Sequence, residues 1–520
     1  MGDSLSDKFS RQRGLVNQDR LENLRVSYCE HNVPPPEFID AMALLAQQLV
    51  VKGFPCVSKN SDFMMSWANS SNNSEKLTDL SVIEVAYGGE GVFLDGTPSE
   101  TPSSALFEPA LATLAACLAW SEILRRSDCY TPVDVPKVSV SVNIRVNETS
   151  MRGSVQDLEF GLDGIDSFMN IRPVKDGTAH KRVSLRLDEK TLLVQELLNK
   201  LRITGGEKNT QPKHPVMHFS LPTPRSIPSG HLTVVGAGGL GTWALHSIVN
   251  GLKNSEHSDL EILVFDKDMK VEKHNLNRQV IFSDSDIGRP KVEAAKDWLN
   301  RNLPSANISL AYELHDGILM KEQSEIVIED EEGLSLEQLL IESSELIQSK
   351  YEALNDDEVR RQLASTDVIL GCLDAMRPRV LADLIAARKG QCYVNGGVNG
   401  LFGQYTEFSS TNLVNLYGPS VARDRAVYSC QEDGEVPLSS LAITNAFVGS
   451  LQAISALQHL TGMKCASIGS VNWDARSNEV FCNLSDGNLN RKVDVKRIED
   501  ALWKPMTSDI ILEDSPLKEA

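Results

Sequence analysis

Apolar residues along this chain follow two rhythms, and the clearest change between them falls at His231–Gly241. There HLTVV runs into GAGGLG and then into TWALHSIVNGL. An unbroken β-prone run, a glycine turn and a helix-compatible stretch predict strand, tight turn and helix in that order. A second run, LEILVFD, predicts a buried strand ending at Asp266. DVILGC (367–372) and QCYV (391–394) predict two more, with a helix between them. Strands alternating with helices predict a parallel, doubly wound sheet.

The first two hundred residues are less regular. Strand-like LSVIEVA and VFLD lie between the polar stretches NSSNNS (69–74) and PSETPSS near residue 100, and VSVSVNIRV (138–146) alternates as a half-buried strand does. GGEKNTQPKH (205–214) is turn-rich, which predicts a boundary between a first unit over 1–215 and a second over 216–520. Two small-residue-rich apolar helices, 109–126 and 444–460, are candidates for equivalent elements of two related halves. The acidic stretch 322–345 reads as a solvated helix or surface insertion, spanning about 322–360.

Charge narrows the function classes. Lys and Arg total 51 against 71 Asp and Glu, a formal net charge of -20, which argues against nucleic-acid and anionic-membrane partners. Apolar stretches are interrupted by charged or polar residues, so no membrane span is expected. MGDSLSDKFSRQR lacks the apolar core of a signal peptide, and Gly2 followed by Ser6 matches only a loose myristoylation pattern. Nine scattered cysteines without a CxxC pair suit a reducing cytoplasm and mostly buried thiols.

The glycines at 236, 238, 239 and 241 would let the backbone approach a phosphate, with helix N–H groups behind it. Asp266 at the next strand end suits ribose hydroxyls. That much fits an NAD enzyme equally well. NLNRQ (275–279) and Lys291 change the balance. Arg278 and Lys291, two cations just beyond the ribose acid, suit a triphosphate whose pyrophosphate must leave.

Glycine turn, acidic strand end, NLNRQ, IGRPK (287–291), GCLDAMR (371–377) and NGGVNGLFGQ (395–404) stand in one order. In that order the sequence resembles the ThiF/MoeB and ubiquitin-activating (HesA) superfamily over roughly residues 231–485. The resemblance implies an α/β fold of two Rossmann-like adenylation halves, the N-terminal one degenerate and the C-terminal one active. It implies ATP and Mg²⁺ as cofactors, with Asp266 or Asp268 on the ribose, since one extra residue separates Asp266 from Asn275. Asn275, Arg278, Gln279 and Lys291 would line the phosphates, and Asp374 would hold Mg²⁺.

FSRQR (9–13) is similar to the family's opening segment, and the strand LRVSYCE is followed by HNVPPPEF with no glycine turn. This is the expected degenerate half, whose Arg11 would reach across to the partner half's ATP; the alternative is an ordinary tail. The crossover loop, about 405–440, holds Cys430, the candidate for accepting the acyl group as a thioester. Arg423 and Arg425 favour its thiolate, while Glu432 and Asp433 oppose it. A structural cysteine is the alternative, because Gln431 stands where relatives often carry threonine. Cys117, Cys372 and Cys392 read as core. The family's paired CxxC motifs are missing, so no structural zinc is expected.

The implied partners are a ubiquitin-like protein substrate and a conjugating enzyme. Within the superfamily, bacterial ubiquitin-like conjugation enzymes such as the Bil type look most similar. Adenylation of a sulfur carrier, peptide or small acid without a thioester stays open, as does a non-catalytic scaffold; an NAD-dependent oxidoreductase is more distant.

Overall fold

Five parallel strands and three antiparallel ones build the larger sheet, and the glycine turn sits at the end of the middle strand of the five. The computed structural model describes residues 12–502 apart from 13, 57–60, 69–81, 132–136, 147–152, 163–177, 187–215, 220, 222, 267–269, 312–361, 364, 374–375, 409–411, 415–439, 464–469, 484–495, 497 and 499–501. Arg11, Asp268, Asp374, Cys430 and the acidic stretch lie outside the described residues.

The first half comprises α1 (Gln18–Asn23), β1 (Val26–Tyr28), α2 (Pro36–Leu49), β2 (Phe63–Trp67), β3 (Val82–Gly88), β4 (Gly91–Phe93) and α3 (Glu108–Arg126). Then follow β5 (Lys137–Val146), β6 (Gly153–Leu162), β7 (Thr178–Arg186) and β8 (Val216–His218). The second half begins with β9 (Gly230–Val235), α4 (Gly239–Lys253), β10 (Leu260–Phe265), α5 (Lys291–Asn302) and β11 (Asn307–Ala311). It continues through β12 (Val368–Gly371), α6 (Met376–Lys389), β13 (Cys392–Asn399), β14 (Phe402–Phe408), α7 (Ala442–Leu460), β15 (Ser470–Asp474) and β16 (Glu479–Asn483).

In the larger sheet the order is β11-β10-β9-β12-β13-β14-β15-β16. Its parallel strands are covered on both faces, which is why they read as unbroken apolar runs rather than alternating ones. Ile262 and Val264 of β10 join the core formed with α4, α5 and α7, while Leu263 and Phe265 join the core formed with α6. Small residues bring α7 onto α4: a Cβ at Gly449 would lie 2.8 Å from Trp243 Cβ and 2.9 Å from the Leu240 carbonyl oxygen.

The smaller sheet runs β1-β2-β3-β4-β8. Its directions, two parallel pairings and then two antiparallel ones, repeat those of β9-β12-β13-β14-β15. In each half a long, small-residue helix follows the antiparallel hairpin, α3 in the first and α7 in the second, and the two pack together. The two halves are therefore Rossmann-like repeats of one plan. Among the described residues the first sheet has no counterparts of β10 and β11. After β1 the chain passes through His31–Pro35 into α2, which starts with Pro35 at its N-cap and no glycine. Between α3 and β8 the first half carries a separate antiparallel sheet, β6-β5-β7.

A buried polar cluster joins the halves. Glu122 of α3 accepts hydrogen bonds from Arg125 Nη2 at 2.6 Å and Arg126 Nε at 2.7 Å. Asn478, in the turn between β15 and β16, donates to Glu122 Oε2 at 3.3 Å and to the Leu118 carbonyl at 3.0 Å. Its own Oδ1 accepts from Trp473 Nε1 at 3.1 Å. Asn478 has φ +56°, a left-handed turn position that asparagine tolerates better than most residues.

Candidate active site

The turn after β9 is shaped for close approach to a ligand. Gly236 has φ +105°, and a Cβ at Gly241 would stand 1.9 Å from the Gly236 carbonyl oxygen, so neither position accepts a side chain without moving backbone. Gly238, the N-cap of α4, has open space where a Cβ would be. The first turn of α4 thus presents N–H groups and the positive end of a helix dipole to that space. Gly241→Ala is expected to weaken ATP binding at least tenfold and cost on the order of 1–3 kcal/mol of stability through overpacking. Calorimetric titration and thermal melts read the two effects separately.

Asp266 follows β10 and is buried, and its Oδ2 accepts a 2.6 Å hydrogen bond from the Ala237 N–H. The acid is therefore tied to the glycine turn. The NLNRQ segment starts at the last residue of a short 3-10 helix, Lys273–Asn275, and continues as a turn over 276–278; Asn275 Oδ1 accepts from the Glu272 N–H at 2.9 Å. Arg278 is 8% exposed; its Nη1 donates to the His274 carbonyl at 2.8 Å and to Asn277 Oδ1 at 3.1 Å. Its stem lies against the start of α4, where a Cβ at Gly239 would be 3.4 Å from Arg278 Cγ and 2.4 Å from Asn445 Oδ1 of α7. Lys291, 4% exposed, is the first residue of α5. The segment leading to it is pinned by the bond from Gly288 N to the Val271 carbonyl at 2.9 Å and from Val271 N to the Arg289 carbonyl at 2.7 Å.

The fold therefore brings the glycine turn, Asp266, Arg278 and Asn445 together, and buries Asn275, Gln279 and Lys291. Asn277 Nδ2 and Gln279 Oε1 are buried without a hydrogen-bond partner among the described residues. Buried polar atoms without partners are uncommon and costly. Together with the open space at Gly238 they fit a polar ligand such as ATP.

Two buried polar groups near these strand ends carry no motif in the sequence. Gln452 of α7 donates through Nε2 to the Gly371 carbonyl at 3.0 Å and the Val394 carbonyl at 3.1 Å, and its Oε1 accepts from the Cys372 thiol at 3.2 Å. It bridges the last residue of β12 and the third of β13. Burial pushes the Cys372 thiol up to about 12, so it is a core group and no nucleophile. Cys117 and Cys392 are likewise buried. On α6, Arg379 donates from Nε to the Leu373 carbonyl at 2.7 Å, and Nη2 donates to the same oxygen. One helical turn on, Asp383 accepts from the Leu413 N–H at 2.7 Å, and burial raises its carboxyl to about 7. Gln452 hides among the apolar residues of α7, and only the register of helix on sheet reveals it.

Cys392, Glu407 and His459 gather at the start of β13, with ligand atoms all within 4.8 Å of one another. Such a donor set could hold a metal ion. Here His459 Nε2 and Glu407 Oε1 stand 3.2 Å apart, and Ser455 Oγ donates to Glu407 Oε2 at 2.9 Å.

Residues 215–330 and 336–490 match the ThiF family, more than half of the sequence. The chain belongs to the ThiF family. Among curated relatives, the molybdopterin-synthase adenylyltransferase of Escherichia coli (strain K12) is 28% identical over 269 residues, covering 49% of this chain and 84% of that protein. The adenylyltransferase and sulfurtransferase UBA4 of Meyerozyma guilliermondii is 26% identical over 232 residues. That match covers 44% of this chain and 42% of UBA4, so this ThiF chain spans less than half of that relative's length. Among solved structures, E. coli MccB with ATP is similar at 14% identity and a TM-score of 0.32, covering 50% of this chain and 64% of that one. This likeness is too remote to bear on function.

Proposed function

We propose that this ThiF-family chain is an ATP-dependent adenylyltransferase that activates the C-terminal carboxylate of a ubiquitin-like protein. The observation that supports it best is the buried Arg278 beside the first residue of α4, next to a glycine turn that is itself bonded to Asp266. The names of the E. coli and UBA4 relatives point to adenylyl transfer as well. In the proposed reaction a carboxylate oxygen attacks the α-phosphorus of ATP, the α–β phosphoanhydride bond breaks, and pyrophosphate leaves with its electron pair. Arg278 and Lys291 offset the charge gathered when one anion attacks another. Asp266 or Asp268 would hold the ribose, and Asn275 and Gln279 would line the phosphates. Asp374 would position Mg²⁺, which supplies charge stabilisation on the phosphates when bound.

The first half acts as a degenerate partner, with Arg11 reaching toward the ATP bound in the second. Cys430 in the crossover loop would take the acyl group as a thioester, expelling AMP, and pass it to a conjugating enzyme. The two-half plan without CxxC pairs favours a bacterial ubiquitin-like conjugation system of the Bil type, with a role in antiviral defence, over a sulfur-carrier activator.

The test is ATP–pyrophosphate exchange with candidate ubiquitin-like proteins whose C-terminus is free or blocked. Exchange is expected only with the free carboxylate, and Cys430→Ala is expected to keep exchange while losing the thiol-sensitive adduct. Full transfer in Cys430→Ala would point instead to adenylation without a thioester. Absence of ATP binding would leave the chain a scaffold.

A further inference from the structure

Arg379 is an ionised side chain in an unusual setting. It lies on α6, the helix that crosses from β12 to β13, and is 6% exposed. Nε and Nη2 both go to one backbone carbonyl, that of Leu373. Among the described residues no carboxylate meets it. Its remaining arm, Nη1, lies 3.3 Å from where Gly397 would carry a Cβ, with Gln404 Oε1 3.8 Å from the same point. Glycine at 397 therefore keeps the space beside the guanidinium clear. Among the described residues this nearly buried guanidinium is held by a single carbonyl, and the geometry of its remaining arm is complementary to a carboxylate oxygen.

Its position in the sheet says which anion. The glycine turn follows β9, and Arg278 lies against the helix that the turn starts. Arg379 stands two strands away, over the C-terminal end of β13, because β12 separates β9 from β13. In an open parallel sheet ligands lie across the carboxyl ends of the strands. With phosphates at the glycine turn, the second reactant lies toward β12 and β13.

We propose that Arg379 is a substrate-binding residue whose Nη1 receives the free carboxylate of an extended peptide tail beside Gly397. This rests on the adenylyltransferase reading above. The guanidinium neutralises the tail while the tail is still an anion, and Leu373 fixes the fork so that little side-chain freedom is lost on binding.

The test uses the full chain saturated with a non-hydrolysable ATP analogue. It is titrated with a short synthetic peptide ending in Gly-Gly as free acid or as amide, and binding is followed by ligand-observed NMR. The free acid is expected to bind at least tenfold tighter than the amide. In Arg379→Met that preference is expected to vanish with analogue affinity unchanged within threefold, and Arg379→Lys to retain part of it. Equal binding of acid and amide by the wild type would overturn the proposal, as would a preference that survives in Arg379→Met. A parallel loss of analogue affinity in Arg379→Met would reduce Arg379 to a brace for the Leu373 loop. A wild type that fails to bind the analogue at all would sink the adenylyltransferase reading itself, and the analogue titration reports that separately. Thermal melts of both variants check folding.

Discussion

Lys291→Met is expected to slow ATP–pyrophosphate exchange by about 10²–10³-fold, the usual loss when one preorganised charge-stabilising group is removed. The fold itself is expected to change little. Lys291 is the first residue of α5, where the helix dipole presents its positive end, and it is buried. A cation there is opposed by the dipole to the extent of about 0.3–1 kcal/mol. Methionine keeps the stem and removes the charge, so stability should stay within about 1 kcal/mol of the wild type. Asp374→Ala is expected to lose exchange to a similar degree. Steady-state exchange assays and thermal melts measured side by side decide the matter. A large fall in melting temperature that accompanied the loss of exchange would make Lys291 a structural group instead.

Glu122→Gln should loosen the joint between the halves. Burial alone would raise the Glu122 carboxyl, but hydrogen bonds from Arg125 and Arg126 outweigh it and hold the group at about 2. Its side chain is 2% exposed, against 42% for Arg125 and 18% for Arg126, so the arginines recover some hydration when the partner is neutralised. Breaking a fully buried pair costs about 3–5 kcal/mol, and this half-open cluster should lose roughly 2–3. The sign with pH follows from the lowered value. The contribution is complete above the ordinary value of 4.5 and is lost as pH falls from there toward 2. Urea unfolding at pH 7 should therefore separate the variant from the wild type, and the gap should narrow at pH 3. A gap independent of pH would mean that shape, and not charge, holds the cluster.

Much of the second half was legible because its signals are local. LEILVFD had to be a buried strand, and β10 ends one residue before Asp266. GAGGLG combines the turn with the start of α4, which begins at Gly239, three residues before the expected TWALHSIVNGL, and Gly236 and Gly241 cannot carry side chains there. The pairing of helices 109–126 and 444–460 as equivalents could be suspected from their small residues, and sheet order supplies the proof. The NLNRQ segment shows a limit: Asn275 spends its side-chain oxygen on Glu272, a local bond that no residue count reveals. Arg379 and Gln452 escaped notice for other reasons. Gln452 acts across the sheet, on carbonyls contributed by strands far off in the chain, and long-range register is not written in periodicity. Arg379 turns back on the Leu373 carbonyl six residues earlier, a local bond that no apolar pattern marks.

The shortened first sheet has a meaning for how this molecule can vary. A pair of identical halves has two working ends, and any change in one is imposed on the other. Among the described residues the first sheet has no counterparts of β10 and β11, so under the proposed function the pair has one reactive end and a fixed polarity. On that proposal, surfaces of the first half away from Arg11 can diverge without disturbing the chemistry, provided α3 still seats on α7. It is in that half, at the seam between α3 and β8, that the chain carries the additional three-stranded sheet.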